Sequence, residues 1–302
     1  MRKIRYGTRG SALALAQSSQ FARRLRELLP GLEAEPVIIH TSGDRFAAAF
    51  PAAPPEAANV KAMFVKEIED ALLEGSIDFA VHSCKDLPAE LPAGLRVAAY
   101  PAREDARDVY IRGPASPTWD RLGSGAKVGT SALRRRIQLA LSRPGVECVS
   151  MRGNVDTRLR RVEEGLCDGI ILAKAGLRRL GREAALQETL EIEEMVPAPG
   201  QGALAIEARE DRSDLLEILA RVDDAPTRLA VEAERDFMRR VGGGCRSPLG
   251  AHVARREDKF RLHAFWSDEA GERPLRWSEE CPARAESLQA LVVAMVRKIL
   301  NP

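Results

Sequence analysis

Short apolar runs alternate with amphipathic stretches along most of this chain, and the two periods they keep predict a repeated β-α order. The run Ile4–Thr8 predicts a strand, and the i, i+3, i+4 spacing from Ala12 to Leu28 predicts a helix. A strand over Pro36–Thr41, a helix over Phe64–Leu73 and strands over Phe79–Ser83 and Leu95–Tyr100 complete a first α/β unit. The run Pro101-Ala102-Arg103-Glu104-Asp105 then reads as a crossing into a second unit. That unit has strands near Val109, Val128, Cys148 and Ile170, and helices over Leu133–Leu141 and Val155–Glu164. The turn Pro197-Ala198-Pro199-Gly200-Gln201-Gly202 breaks the rhythm, and Ala203–Ala208 reads as a strand returning to the first unit, which makes two hinged lobes. From Ala225 a long helix leads to a glycine turn, an alternating hairpin over Ala251–Trp266, a strand near Trp277 and a closing helix over Ala285–Leu300. The expected class is α/β in three domains: residues 1–101 with 202–222, residues 102–201, and a small α+β domain at 223–302.

The two lobes share an internal echo. Gly7-Thr8-Arg9-Gly10-Ser11-Ala12-Leu13 and Gly129-Thr130-Ser131-Ala132-Leu133-Arg134-Arg135 each follow a strand and open a helix. Ser11 and Ser131 are the expected N-caps, and a helix N-terminus with unpaired N–H groups favours anions. Ligands of open parallel sheets bind at such strand ends. Arg9, Arg134, Arg135, Arg152 and Arg158 all fall at or just after predicted strand ends, with Arg152 in the turn Met151-Arg152-Gly153-Asn154. A guanidinium fork matches a carboxylate in bidentate fashion, so several converging forks suit a ligand with several carboxylates. Phosphate or nucleic acid has the same sign, but the chain has no P-loop lysine motif and no stripe of aromatics for stacking bases.

Composition narrows the partners. With 302 residues, 45% hydrophobic, 30% charged and a net charge of only +2, the chain has the balance of an ordinary water-soluble protein and no bulk affinity for nucleic acid. Five cysteines, Cys84, Cys148, Cys167, Cys245 and Cys281, are scattered without a C-x-x-C pair, so neither a disulfide framework nor a zinc knuckle is expected. No apolar signal core follows Met1 and no window approaches a membrane span, so no membrane partner and a cytoplasmic location are expected.

Two stretches carry candidate chemistry. In Gly242-Gly243-Gly244-Cys245-Arg246-Ser247-Pro248, a thiol stands on a backbone stripped of side chains and fixed by a proline. Such a thiol can carry something bulky, or be a small residue at a tight turn. In His82-Ser83-Cys84-Lys85-Asp86-Leu87-Pro88, an aspartate beside a lysine follows an apolar strand. It can stabilise a developing positive charge or exchange protons, or be half of a solvated salt bridge. His82 and Cys84 share a strand face but are too few for a metal site.

Together these motifs resemble the porphobilinogen deaminase (hydroxymethylbilane synthase) family. The resemblance is carried in order by Thr8-Arg9-Gly10-Ser11, Phe64-Val65-Lys66-Glu67, His82-Ser83-Cys84-Lys85-Asp86, Gly129-Thr130-Ser131-Ala132-Leu133-Arg134-Arg135, Arg152-Gly153-Asn154-Val155, Pro199-Gly200-Gln201-Gly202 and Gly243-Gly244-Cys245. It implies two lobes like those of periplasmic binding proteins plus the small third domain. It also implies a transferase that joins four porphobilinogen molecules head to tail, with loss of ammonia, to give the linear tetrapyrrole hydroxymethylbilane. The implied cofactor is a dipyrromethane held by a thioether to Cys245, and the implied catalytic carboxylate is Asp86. Lys85, Arg134, Arg135, Thr130, Ser131 and Asp44 are implied around the cofactor. Arg9, Ser11, Arg152, Arg158, Gly153, Gln201, Lys61 and Phe64 are implied around substrate. No metal is implied, and the expected form is a monomer acting on a small molecule.

The chain departs from the family pattern in places. Val60 and Ala62 stand where glycines usually flank the lysine matching Lys61, in a segment from Phe46 to Ala58 rich in alanine and proline that is expected to act as a lid. Gly242 replaces a usual acidic residue, and Ala132 lacks a hydroxyl often found before Leu133.

Overall fold

The computed structural model describes residues 2–43, 63, 65–183, 186–242 and 248–300. In chain order the elements are β1 (Arg2–Thr8), α1 (Ala12–Leu28), β2 (Leu32–Ile38), α2 (Lys66–Leu73), β3 (Phe79–Ser83), β4 (Leu95–Ala99), β5 (Asp108–Arg112), β6 (Lys127–Gly129) and α3 (Leu133–Ser142). There follow β7 (Glu147–Val149), α4 (Val155–Glu163), β8 (Gly169–Ala173), α5 (Lys174–Leu180), β9 (Gln187–Thr189), β10 (Leu204–Arg209) and α6 (Ser213–Ala220). The chain closes with α7 (Ala225–Arg240), β11 (Leu249–Arg256), β12 (Lys259–Trp266), β13 (Leu275–Pro282) and α8 (Ala285–Leu300).

Contacts divide the chain into two compact units, Met1–Glu104 with Ala203–Leu229, and Asp105–Gly202 with Ala230–Pro302. The first holds a five-stranded sheet in the order β2-β1-β3-β10-β4, parallel except for β10, which runs antiparallel to both neighbours. Strand alternation sorts its faces. Ile4, Tyr6, Phe79, Val81, Leu204 and Ile206 pack with Phe21 and Leu25 of α1 and Leu215 and Leu219 of α6. On the other face Ala80 joins Ile68 and Leu72 of α2, with Ile77 and Leu95. β2 begins earlier than the apolar run Val37-Ile38-Ile39 suggests, because Pro36 lies inside it opposite Tyr6. The strand is at the sheet edge, where a missing N–H is tolerated.

The second unit repeats the plan: β7-β6-β8-β5-β9, with β6 parallel to β7 and β8, and β5 antiparallel to β8 and β9. The two echo motifs therefore end equivalent strands, β1 and β6. Both echo glycines sit against packed side chains. A Cβ on Gly7 would strike Ile77, and one on Gly129 would come within 2.8 Å of Ile170 and Met151. The same unit contains the antiparallel sheet β11-β12-β13. It is covered by α8, whose buried stripe is Leu288, Leu291, Val292, Met295, Val296 and Ile299. Gly250 of β11 passes so close to the Val196 and Pro197 carbonyls that a Cβ would lie 2.8 Å from the first, and Ala251 N–H donates to the Pro197 carbonyl at 2.9 Å. No helix among the described residues is long and apolar enough to cross a membrane.

Candidate active site

In the first unit the adjacent strands β1 and β3 end side by side, and each delivers one expected motif. After β1, the Ser11 hydroxyl accepts from Ala14 N–H at 3.3 Å and caps α1, as expected. The turn is braced from below by Thr8, wholly buried, whose hydroxyl lies 3.1 Å from that of Ser18. Arg9 is half-buried and Gly10 exposed. After β3, the Gln17 amide donates to the Ser83 hydroxyl at 2.8 Å. Cys84–Asp86 then forms one turn of 3-10 helix, with Cys84 N–H on the Ala203 carbonyl at 3.0 Å and Leu87 N–H on the Cys84 carbonyl at 3.1 Å. Cys84 is buried, whereas Lys85 and Asp86 keep partial exposure.

In the second unit Asp108, wholly buried at the start of β5, gathers the arginines that open α3. Arg134 Nη2 donates to Asp108 Oδ2 at 2.9 Å, and Arg135 donates through Nη2 to Oδ1 at 2.8 Å and through Nε to Oδ2 at 3.2 Å. Each guanidinium also reaches backbone: Arg134 to the Val196 carbonyl, Arg135 to the Ile171 carbonyl at 2.9 Å. Gln201 donates to Asp108 Oδ1 and to the Ala106 carbonyl, each at 2.7 Å. Burial opposes ionisation of Asp108, but the two guanidiniums outweigh it and hold its carboxyl well below the usual range. Two cations thus share one anion, leaving an excess positive charge at residues only 5% and 6% exposed.

That excess extends to the next turn. Arg152 and Gly153 follow β7, and Gly153 takes φ 106°, where a Cβ would meet Thr157 at 2.9 Å. Asn154 caps α4 by accepting from Thr157 N–H at 2.9 Å, and Arg158 Nε donates to the Gly153 carbonyl at 2.8 Å. Burial, then the neighbouring Arg135, Arg152 and Arg161, lower the Arg158 pKa to about 10. Arg152 Nε is buried without a hydrogen-bond acceptor. Several guanidiniums therefore crowd one place with too few carboxylates for them.

The sequence places one detail differently. Ser131 is not the cap of α3: the N-cap is Ala132, with no side-chain bond. Ser131 instead is exposed and donates to the Met151 carbonyl at 2.8 Å, tying the two arginine turns together, while buried Thr130 accepts from Ala132 N–H at 3.3 Å. Without a hydroxyl, Ala132 offers the first turn of α3 no side-chain cap of its own. Cys245, Asp44, Lys61, Phe64 and the segment from Phe46 to Ala62 lie outside the described residues.

Three functional supports escaped the sequence reading. Asp108 was hidden in the charged run Arg103 to Asp108, and its one clue is that it opens the apolar strand Val109-Tyr110-Ile111. Glu234, wholly buried on α7, accepts from Gly200 N–H at 2.7 Å and Val253 N–H at 2.8 Å, so it pins the Gly200-Gln201 turn to β11. Arg179 of α5 donates to the Gly202 carbonyl at 2.6 Å. No group of three or more His, Cys, Asp or Glu among the described residues is placed to hold a metal ion.

Comparison with known proteins identifies the family. Residues 4–217 match the model of the porphobilinogen deaminase dipyromethane cofactor binding domain, and residues 228–294 match the porphobilinogen deaminase C-terminal domain. The porphobilinogen deaminase of Syntrophus aciditrophicus is 48% identical over 262 residues, covering 87% of this chain and 84% of that protein. That of Syntrophotalea carbinolica is 44% identical over 286 residues, covering 94% and 89%. With both family domains matched in order and the strand-end motifs built as described, this chain belongs to the porphobilinogen deaminase family.

Proposed function

We propose that, in the family's reaction, Asp86 is the catalytic carboxylate and that Arg135, Arg152 and Arg158 receive the carboxylates of the growing pyrrole chain. The reaction is the head-to-tail joining of four porphobilinogen molecules, with loss of ammonia, to give hydroxymethylbilane for tetrapyrrole biosynthesis. The observation that carries the site reading is the cation excess around Arg158, whose proton is held less firmly than in any ordinary arginine. Each pyrrole unit brings an acetate and a propionate. Carboxylates of that kind relieve the repulsion among these guanidiniums and give the buried Arg152 Nε an acceptor.

The residues present fit a dipyrromethane, a group of four carboxylates, for the same reason. Cys245 is the proposed thioether anchor, with Thr130, Ser131, Arg134, Lys85 and Asp44 around it. When bound, the cofactor supplies the pyrrole carbon from which the chain is extended. Asp86 stabilises positive charge on a pyrrole nitrogen while the aminomethyl nitrogen departs as ammonia. Arg134 and Asp108 fix the direction of Arg135, so that its guanidinium needs little reorganisation to meet a carboxylate. Arg9 and Ser11 occupy the strand end beside Asp86 and are proposed to bind substrate with Gly153, Gln201, Lys61 and Phe64. We further propose a cytoplasmic monomer whose parts are residues 1–101 with 202–222, residues 102–201 and residues 223–302. The free thiols of Cys84, Cys148, Cys167 and Cys281 support a reducing compartment.

Intact mass before and after incubation with porphobilinogen tests this reading. Wild-type protein made in cells should exceed its sequence mass by one dipyrromethane and gain further pyrrole units, while Cys245→Ser should lack both increments. An active wild-type protein without any adduct, or ligand binding with no release of ammonia, would overturn it.

A further inference from the structure

Where α2 packs on the first sheet, two ionisable side chains of the sheet and one of the helix meet among apolar neighbours. His82 on β3 and Glu207 on β10 are diagonal partners, since Ala205 stands opposite His82 and Glu207 opposite Ala80. Both point to the side of Ala80, away from the α1 core, and His82 Nε2 lies 3.0 Å from Glu207 Oε2. Glu69 of α2 descends onto the same place. The exposures are 8% for Glu69, 6% for His82 and 0% for Glu207. Glu69 Oε1, both Glu207 carboxylate oxygens and His82 Nε2 are buried without an aligned hydrogen bond.

Other charged groups on the packed elements are engaged elsewhere. On α2, Lys66 pairs with Asp70, and Glu67 accepts from Ser42 N–H. On β10, Arg209 pairs with Asp211; on β1, Arg5 reaches Asp78 and the Gly75 carbonyl; Arg96 on β4 is exposed. Glu69 therefore answers to Glu207, His82 and its neighbour Asp70. Two buried carboxylates facing a single imidazole cannot both ionise cheaply, so one carboxyl keeps a proton to much higher pH than usual. Burial, and then repulsion from Glu207, raise Glu69 to about 7.

The cluster sits directly beneath the proposed catalytic turn. His82 is followed by Ser83, held by Gln17, and by the Cys84–Asp86 turn, whose first N–H is held by Ala203 just before β10. We propose that Glu69, His82 and Glu207 form a buried proton-holding cluster that positions the strand end bearing Asp86, clamping β3, β10 and α2 together while the proton is present. Loss of the proton to solvent puts a second negative charge in the cluster and loosens α2 from the sheet. The link to catalysis rests on the Asp86 reading; the proton itself does not.

The test uses the full chain with its cofactor, as wild type and as Glu69→Gln, which mimics the protonated carboxyl at all pH values. A Glu whose folded pKa is raised stabilises below its unfolded pKa and loses that contribution as pH rises through the folded value. The wild-type melting temperature should therefore drop by about 2–4 °C or more between pH 5 and 8, and this drop should vanish in Glu69→Gln. Turnover in wild type should show a step near pH 7 in kcat at unchanged KM, absent in Glu69→Gln. In 13C spectra of glutamate-labelled wild type, one carboxyl should titrate between pH 6 and 8. If Glu69→Gln keeps the wild-type melting profile, or if every glutamate titrates below pH 6, the cluster holds no such proton and the proposal falls. If the melting step disappears but the kcat step stays, the positioning of Asp86 is overturned. A failure of Asp86 itself, seen as full turnover in an Asp86 variant, leaves the melting and spectral outcomes untouched, so the two readings fail separately. The spectral result stands even if Glu69→Gln does not fold.

Discussion

The Gln201 side-chain amide donates to the Asp108 carboxylate at 2.7 Å, joining positions 93 residues apart inside the second unit. Through that bond the Pro197–Gly202 turn is fixed to the same carboxylate that aims Arg134 and Arg135. Removing the anion strands two desolvated guanidiniums. Asp108→Asn should cost about 3–5 kcal/mol of unfolding free energy, read from denaturant midpoints. Because Asp108 is depressed in the folded state, its contribution is present above the ordinary carboxylate pKa of about 4 and is lost as pH falls toward the lower folded value. Wild type should thus lose stability in acid below about pH 4 more steeply than the variant.

Asp86 is only partly buried, at the end of a single 3-10 turn. Asp86→Ala should lower kcat by about 100-fold or more, while unfolding free energy changes by about 0.5 kcal/mol at most. Near-normal ammonia release by this variant would remove the carboxylate from the chemistry.

Arg152 and Arg158 are partly exposed at their turn and short of acceptors, so their loss should be felt in binding and not in folding. Arg158→Ala should raise KM for porphobilinogen about 10- to 100-fold, the worth of one charged hydrogen bond. Equal KM values for variant and wild type would take Arg158 out of the binding site.

Asn154 caps the helix that carries Arg158. Asn154→Ala should cost about 1 kcal/mol in denaturant unfolding and raise KM as well, because the frayed first turn no longer holds the guanidinium in place. A stability loss with unchanged KM would show that the cap serves the fold alone.

Much of this fold could be read from the chain because local signals and tertiary demands agreed. Helix α1 begins and ends where its spacing and the Ser11 cap say, and α8 does the same. The short elements α5, β9 and α6 are not legible, since three to eight residues of mixed polarity hold too few repeats to show a period. The motif positions of the site were visible as residue types at strand ends. What stayed hidden was the ionic underside: Asp108 and Glu207 look like solvent positions in sequence, and only sheet order puts them inside. Polar residues buried by pairing leave no periodic trace.

Strand β10 has a consequence for how the polypeptide is made. It wedges between β3 and β4, though more than a hundred residues separate it from either. During vectorial synthesis the sheet that bears Asp86 cannot close until residue 209 has cleared the ribosome, whereas β5 to β9 can assemble from a continuous stretch already emerged. The first sheet is therefore begun before the β5 to β9 sheet and closed after it, with a seam between β3 and β4 that stays open while those strands emerge.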